Sequence, residues 1–210
     1  MILHAIKEKQ TTRQVVISSS LGAEDQWLSF RRAEKSEVIT PDDPDCFIRI
    51  MGDDLDCQAA NWVNQLPADL PDLNLSLSTG KVVDFRAKTS LRLEPRPDTV
   101  PLIYPGHLQN GVVVWPKVGW KKPKAICRSA DTEALLMPAG IYVVVNRFPT
   151  KEERHRVVAS LFDSAPFESE WIGFENHLNV YHQGGTGLDF NLAKGLVSFL
   201  NSTLIDTYFR

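Results

Sequence analysis

The chain has 210 residues, enough for one large domain or for a modest domain with an appendage, and its 43% hydrophobic and 23% charged residues are ordinary for a folded protein. No apolar run reaches membrane-spanning length, and the opening "MILHAIKEKQ" lacks a signal-peptide pattern, so the composition points to a cytoplasmic protein with no membrane partner. The net charge of −3 hides an asymmetry, because residues 1–75 carry 7 basic and 13 acidic side chains while residues 76–210 carry 16 and 13. An acidic total therefore leaves room for a locally basic, nucleic-acid-facing surface.

In chain order, "ILHAIK" and "RQVVISSS" read as two strands joined by the polar turn "EKQTT". Such a hairpin is marginal in water and needs a sheet to join. The span "GAEDQWLSFRRAEKSEVITPDDPD" reads as a polar connection holding at most one strand, and "CFIRIM" as a short strand. Asp53 is placed to cap a helix running through Asn64, with Leu55, Ala59, Ala60 and Val63 on one side. The prolines of "LPADLPDLNL" end it, and the main boundary falls near residue 73, giving regions 1–73 and 74–210.

The second region reads as strands between turns: "LSLSTGKVVDFR", "VPLIYP", "GVVVWP", "KAICRS", "ALLMP" and "IYVVVNRF". "TKEERHRVVASLF" fits two readings. Thr150 and Glu153 have capping-box spacing, whereas "RVVASLF" suits a strand. "GFENHLNVYH" reads as a strand with Glu175, His177, Asn179 and Tyr181 on one face and Leu178 and Val180 towards the core. His177 and His182 then point in opposite directions, which argues against one shared metal. "NLAKGLVSFLNSTLIDTYF" is the clearest helix, with Leu192, Leu196, Phe199, Leu200 and Tyr208 close to one side and a weak point at Gly195 and "NST". The fold class is α+β: a strand-rich domain with a C-terminal helix, preceded by a β-hairpin.

Chemistry-bearing motifs are sparse. There is no GxSxG, HExxH or P-loop, and Cys46, Cys57 and Cys127 are scattered without a CxxC pair, as suits reduced thiols. "HQGGTGLDF" precedes a helix and could cradle a phosphate, but its spacing is not GxGxxG, and a plain turn before a helix cap explains it better. The strongest charge signal is "WPKVGWKKPKAICR", where Trp115 and Trp120 interleave with Lys117, Lys121, Lys122 and Lys124 and no acid intervenes. Lysines with aromatic support suit a nucleic-acid backbone. Arg147, Lys81 and Arg86 add further positive charge.

In content and order, "LSLSTGKVVDFR", "VPLIYPGHLQNGVVVWPK", "IYVVVNRFPTKEERHRVVASLFD", "IGFENHLNVYH" and "LAKGLVSFLNSTLIDTYFR" resemble the TaqI-like target-recognition domain at the C-terminus of type II adenine-specific DNA methyltransferases. The resemblance covers residues 74–210, and "PLIYPGH", "GFENHLN" and "FLNSTLID" are its most specific pieces. The first segment looks like the closing hairpin of the catalytic domain of the same enzymes. The family's Asn-Pro-Pro-aromatic motif does not occur, so no catalytic residue carries over.

The resemblance implies a fragment of a restriction-modification enzyme that holds double-stranded DNA while a separate N-terminal catalytic domain, the chain's own partner, uses S-adenosylmethionine. No cofactor is expected in the fragment itself. The DNA-binding candidates are Lys81, Arg86, Tyr104, His107, Lys117, Lys121, Lys122, Lys124, Arg147, Asn176, His177 and Asn179. Two other function classes compete: a non-catalytic specificity subunit, and a small nucleotide-binding enzyme using the "GGTG" loop.

Overall fold

The computed structural model describes residues 13–20, 22, 24, 27–41, 43–45, 47–148 and 155–209. The chain divides into two compact units, residues 1–64 and 65–210, a division earlier than the one expected near residue 73. Leu70 and Leu75 belong to the second unit's core, where the Leu75 N–H donates to the Leu70 carbonyl.

In the first unit, β1 (Gln14–Ser19) pairs antiparallel with β2 (Ser29–Glu34), with Val15 opposite Ala33 and Ile17 opposite Arg31. The described partner of "QVVISS" is therefore a strand from the polar connection. The expected mate, "ILHAIK", lies outside the described residues. Period-2 alternation sends Val15 and Ile17 to one face, where they pack with Ala33, Val38 and Ile39, and leaves Val16 and Phe30 exposed on the other. A short helix, α1 (Lys35–Val38), follows.

α2 (Asp54–Asn64) starts where Asp53 caps it, since the Asp53 carboxylate accepts the Asp56 N–H at 2.9 Å. Its apolar side is narrower than expected. Ala59 and Ala60 are buried, but Leu55 is exposed. "CFIRIM" is not a strand over its described residues 47–51: Phe47, Ile48 and Ile50 are exposed, and the Arg49 N–H makes one backbone bond, to the Val38 carbonyl. With no strand alongside it, hydrophobic character alone does not make a ladder.

The second unit is a mixed α/β body built on two sheets. One has the strand order β3 (Ser76–Thr79), β13 (Leu178–His182), β10 (Ile141–Asn146), β11 (Ala159–Asp163), β7 (Val112–Val113) and β6 (Leu108–Gln109). The other runs β4 (Leu91–Arg92), β8 (Ala125–Cys127), β5 (Thr99–Ile103), β12 (Trp171–Phe174) and β9 (Leu136–Pro138). The chain ends in α3 (Phe190–Leu200) and α4 (Thr203–Tyr208).

Alternation along β10 explains the layering. Tyr142 and Val144 join Ile103, Phe162, Ile172, Phe174, Leu178 and Val180 in the core between the sheets. Val143 and Val145 point the other way, onto Ala193 and Leu200 of α3. A strand covered on both faces reads as an unbroken apolar run, as "IYVVV" does. Each fully buried Phe or Leu here contributes about 1.5–3 kcal/mol. A third cluster, Val82, Val100, Leu102, Tyr104, Ile126 and Leu136, covers the outer face of the second sheet.

"ASLFD" is the strand β11. The capping-box pair Thr150 and Glu153 falls outside the described residues. The long helix breaks into α3 and α4 at the "NST" triplet, for a definite reason. The Asn201 side chain turns back to bond both backbone groups of Ala159, accepting its N–H at 2.9 Å and donating to its carbonyl at 2.8 Å. Ser202 then caps α4 by accepting the Ile205 N–H. Asp206, buried in α4, accepts the Arg156 N–H at 2.6 Å.

Candidate nucleic-acid interface

The basic loop stands on a buried aromatic base. Tyr104 at the end of β5 is fully buried, and its hydroxyl donates to the Asp84 carboxylate at 2.8 Å. Burial, then the bond to Asp84, pushes the phenol well above its ordinary pKa. Within the following turn, His107 Nδ1 accepts the Tyr104 N–H at 3.0 Å, which leaves the imidazole proton on Nε2. Burial, with the nearby Lys117 ammonium, lowers the His107 pKa to about 4, so the ring is neutral.

Trp120 packs edge-on against both rings, at 5.5 Å from Tyr104 and 4.5 Å from His107. The chain at Gly106 lies so close beneath Trp120 that a Cβ there would sit 2.7 Å from the indole. Two lysines are held on this base. Lys117 donates to the Gly106 carbonyl at 3.2 Å and lies over the Trp120 ring at 5.7 Å. Lys122 lies over the Tyr104 ring at 4.7 Å, with Asp84 3.9 Å away. Such cation–π contacts contribute about 0.5–1 kcal/mol each near the surface. Both ammoniums are thereby restrained, and Lys121 and Lys122 are exposed.

Three candidates have a different place from the one expected. Lys124 is buried and bound to Glu94 at 2.6 Å, and its carbonyl accepts the Trp115 indole N–H at 2.9 Å. Its ammonium is held within the fold. Tyr104 and His107 are fully buried, so they shape the loop and do not face outward. Lys81 and Arg86 are exposed on the segment that carries Asp84.

"GFENHLNVYH" is not one strand. β12 ends at Phe174, the chain turns at 175–177, and β13 begins at Leu178 in the other sheet. Leu178 and Val180 do face the core. Glu175, buried to 2% exposure, makes the turn: its carboxylate accepts the His177 backbone N–H at 3.0 Å and pairs with His177 Nδ1 at 2.5 Å. Backbone bonds from Glu175 to the Ile103 carbonyl and from Asn176 to the Val82 carbonyl bind the turn into place. Gly80 permits the close approach, since a Cβ there would lie 2.2 Å from the Glu175 carbonyl oxygen. The expected four-residue polar face is therefore split. Asn179 and Tyr181 stay on one face of β13, while Glu175 and His177 belong to the turn.

Beside this turn lies a smaller group. The Arg147 N–H donates to the His177 carbonyl, the Arg147 guanidinium lies 4.8 Å from the Phe148 ring centroid, and Phe148 meets the His177 ring at 5.8 Å. Asn176 and Asn179 are half-buried. The structure thus gathers the candidates into two groups: the loop base with Lys117 and Lys122, and the turn with Arg147 and His177. Asp84, Glu94 and Phe148 were missed, and nothing in their local sequence marks them, because each acts through a partner distant in the chain.

The glycine-rich loop is a turn, with Gln183 and Thr186 bonded to each other and Gly184 and Gly185 at φ of 56° and 89°. The donors at the start of α3 are occupied by Asp189, which accepts the Asn191 and Leu192 N–H groups at 2.9 and 3.1 Å. A carboxylate already sits where a phosphate would bind. No group of three or more metal-ligating side chains occurs among the described residues.

Along its whole length the chain is similar to type II methyltransferases. It is 41% identical over 210 residues to the type II methyltransferase M.PstI of Providencia stuartii, covering all of this chain and 41% of that protein. It is 38% identical over 206 residues to the type II methyltransferase M.BsuBI of Bacillus subtilis, covering 97% of this chain and again 41% of the relative. The chain therefore spans about two fifths of the relatives it matches. No family model matches it, and no solved structure does.

Set beside these methyltransferases, the three most distinctive sequence pieces turn out to be joints. "PLIYPGH" supplies Tyr104 and His107, which fasten the basic loop. "GFENHLN" supplies the Glu175 turn that passes the chain between sheets. "FLNSTLID" supplies Asn201 and Asp206, which bind the end of α3 and α4 to Ala159 and Arg156, and Ser202, which caps α4.

Proposed function

We propose that the chain is the DNA target-recognition part of a type II, adenine-specific (N6) DNA methyltransferase of a restriction-modification system. Residues 65–210 would be a TaqI-like specificity domain, and residues 1–64 would belong with the catalytic domain. The observation that carries this reading is the similarity to two type II methyltransferases over 100% and 97% of the chain, which is only 41% of either relative. A cytoplasmic location follows from the substrate. No helix among the described residues is long and apolar enough to cross a membrane.

Methylating an adenine amino group requires taking that base out of the stack. The division of labour gives the flipped base to the catalytic domain and duplex holding to this chain. Lys117, Lys121 and Lys122, with Lys81 and Arg86, supply phosphate contacts, which position without reading sequence. Arg147, Asn176, His177 and Asn179 supply the groups suited to base edges, Asn for adenine and Arg for guanine.

S-adenosylmethionine is the methyl donor of the parent enzyme under this reading, but the residues present do not fit it. The Asn-Pro-Pro-aromatic motif is missing from the chain. Among the described residues that line the groove along α3, Val157, Val197, Phe190 and Lys194 included, there is no carboxylate to take ribose hydroxyls. Sequencing modified bases in DNA from cells expressing the full-length protein tests the proposal. N6-methyladenine at one recurring sequence is expected. A different modified base, or none, contradicts it.

A further inference from the structure

We infer that Val118, at the tip of the basic loop, reads the methyl group of a thymine in the recognised duplex. Its role presupposes that residues 65–210 hold DNA, as proposed above. Val118 is 94% exposed. A lone exposed valine is common and means little by itself. This one is displayed on a fixed stand. On one side Lys117 is tied to the Gly106 carbonyl and the Trp120 ring. On the other, Gly119 at φ 74° reverses the chain, and Trp120 is locked onto Tyr104 and His107. Lys121 and Lys122 follow at once.

The consequence is geometric. When those lysines meet phosphates, the residue between them is carried towards the groove, and it has no polar atom to offer there. An apolar side chain favours an apolar group. On the major-groove edges of the four bases the thymine C5-methyl is that group. Valine is short and β-branched, unlike the longer Leu, Ile, Met or Phe wedges that enter between stacked bases. Contact with a methyl on the groove floor therefore fits better than intercalation. Specificity for one T·A pair follows from this contact, while the lysines bind every sequence alike.

Removal of single methyl groups from the DNA tests this. The full-length protein is first used to select its site from a random 30-base-pair duplex library. Each thymine of that site is then replaced by deoxyuridine, which deletes only the methyl. For the unaltered protein one replacement should weaken binding about fourfold, the effect of one buried methyl-sized group, and the others should not. Val118→Ala should lose a similar factor on the thymine duplex and show no further loss on the deoxyuridine duplex, a non-additive pair. Its melting temperature should be unchanged, since the side chain is solvent-exposed. Equal binding of all deoxyuridine duplexes, or full methyl dependence retained in Val118→Ala, overturns the role of Val118. A library from which no sequence is enriched overturns the DNA-recognition reading itself, a distinguishable result.

Discussion

His107 makes the loop base sensitive to acid, and the size of the effect follows from its burial. In the unfolded chain a histidine titrates near its ordinary value of about 6.5. In the fold, burial and the Lys117 ammonium depress it to about 4. Between those values the unfolded chain binds a proton that the folded chain does not. Stability is therefore full above pH 6.5 and falls as pH drops towards 4. Integration gives a loss of about 2 kcal/mol at pH 5, rising to about 3 kcal/mol below pH 4. A loss of about 2 kcal/mol moves a urea midpoint by roughly 1 M for a domain of this size. His182, whose pKa burial also lowers, adds in the same direction. The perturbation is His107→Asn, because the Asn carbonyl can still accept the Tyr104 N–H but cannot titrate. Urea unfolding of this chain at pH 7.5, 6 and 5 is the assay. The variant should be less stable at pH 7.5 yet lose about 2 kcal/mol less on going to pH 5. An identical pH dependence in both proteins would refute the assignment of a buried neutral imidazole.

Neutralising Lys117, Lys121 and Lys122 to Gln in the full-length protein should weaken binding to all duplexes alike and lower the salt slope by about one unit for each lysine that pairs with a phosphate. Lys124→Gln should leave that slope unchanged and lower the melting temperature, because its ammonium is bound to Glu94. Asn201→Ala, which strands the N–H and carbonyl of Ala159, should cost about 2–3 kcal/mol in urea unfolding. Calorimetry on this chain alone should show no S-adenosylmethionine binding. Micromolar affinity would contradict the assignment of the cofactor site to another part of the parent protein.

What the sequence revealed about the fold follows from how local each signal is. α2 was legible because Asp53 and its cap lie within one turn of chain. β10 was legible because a strand covered on both faces needs an apolar run. The Glu175 turn was only half legible: Asn176 interrupts the alternation of Phe174, Leu178 and Val180, but nothing local shows that the Glu175 carboxylate is buried and bonds His177. The pairing of β1 with a strand from a polar stretch was hidden for a similar reason, since its inward positions carry only Ala33 and a partly buried Arg31. In the candidate site, positive charge was visible but its availability was not. Lys124 and Lys122 look equivalent in "WKKPKA", and only partners distant in the chain, Glu94 for Lys124 and Tyr104 with Asp84 for Lys122, separate their roles.

Exchange of residues 65–210 of the full-length protein for the corresponding segment of a type II methyltransferase that modifies a different sequence tests the central claim most directly. Modified-base sequencing of DNA exposed to the chimera gives the answer. The account predicts that the methylated sequence changes to that of the segment's donor. A chimera that still methylates the original sequence would contradict it.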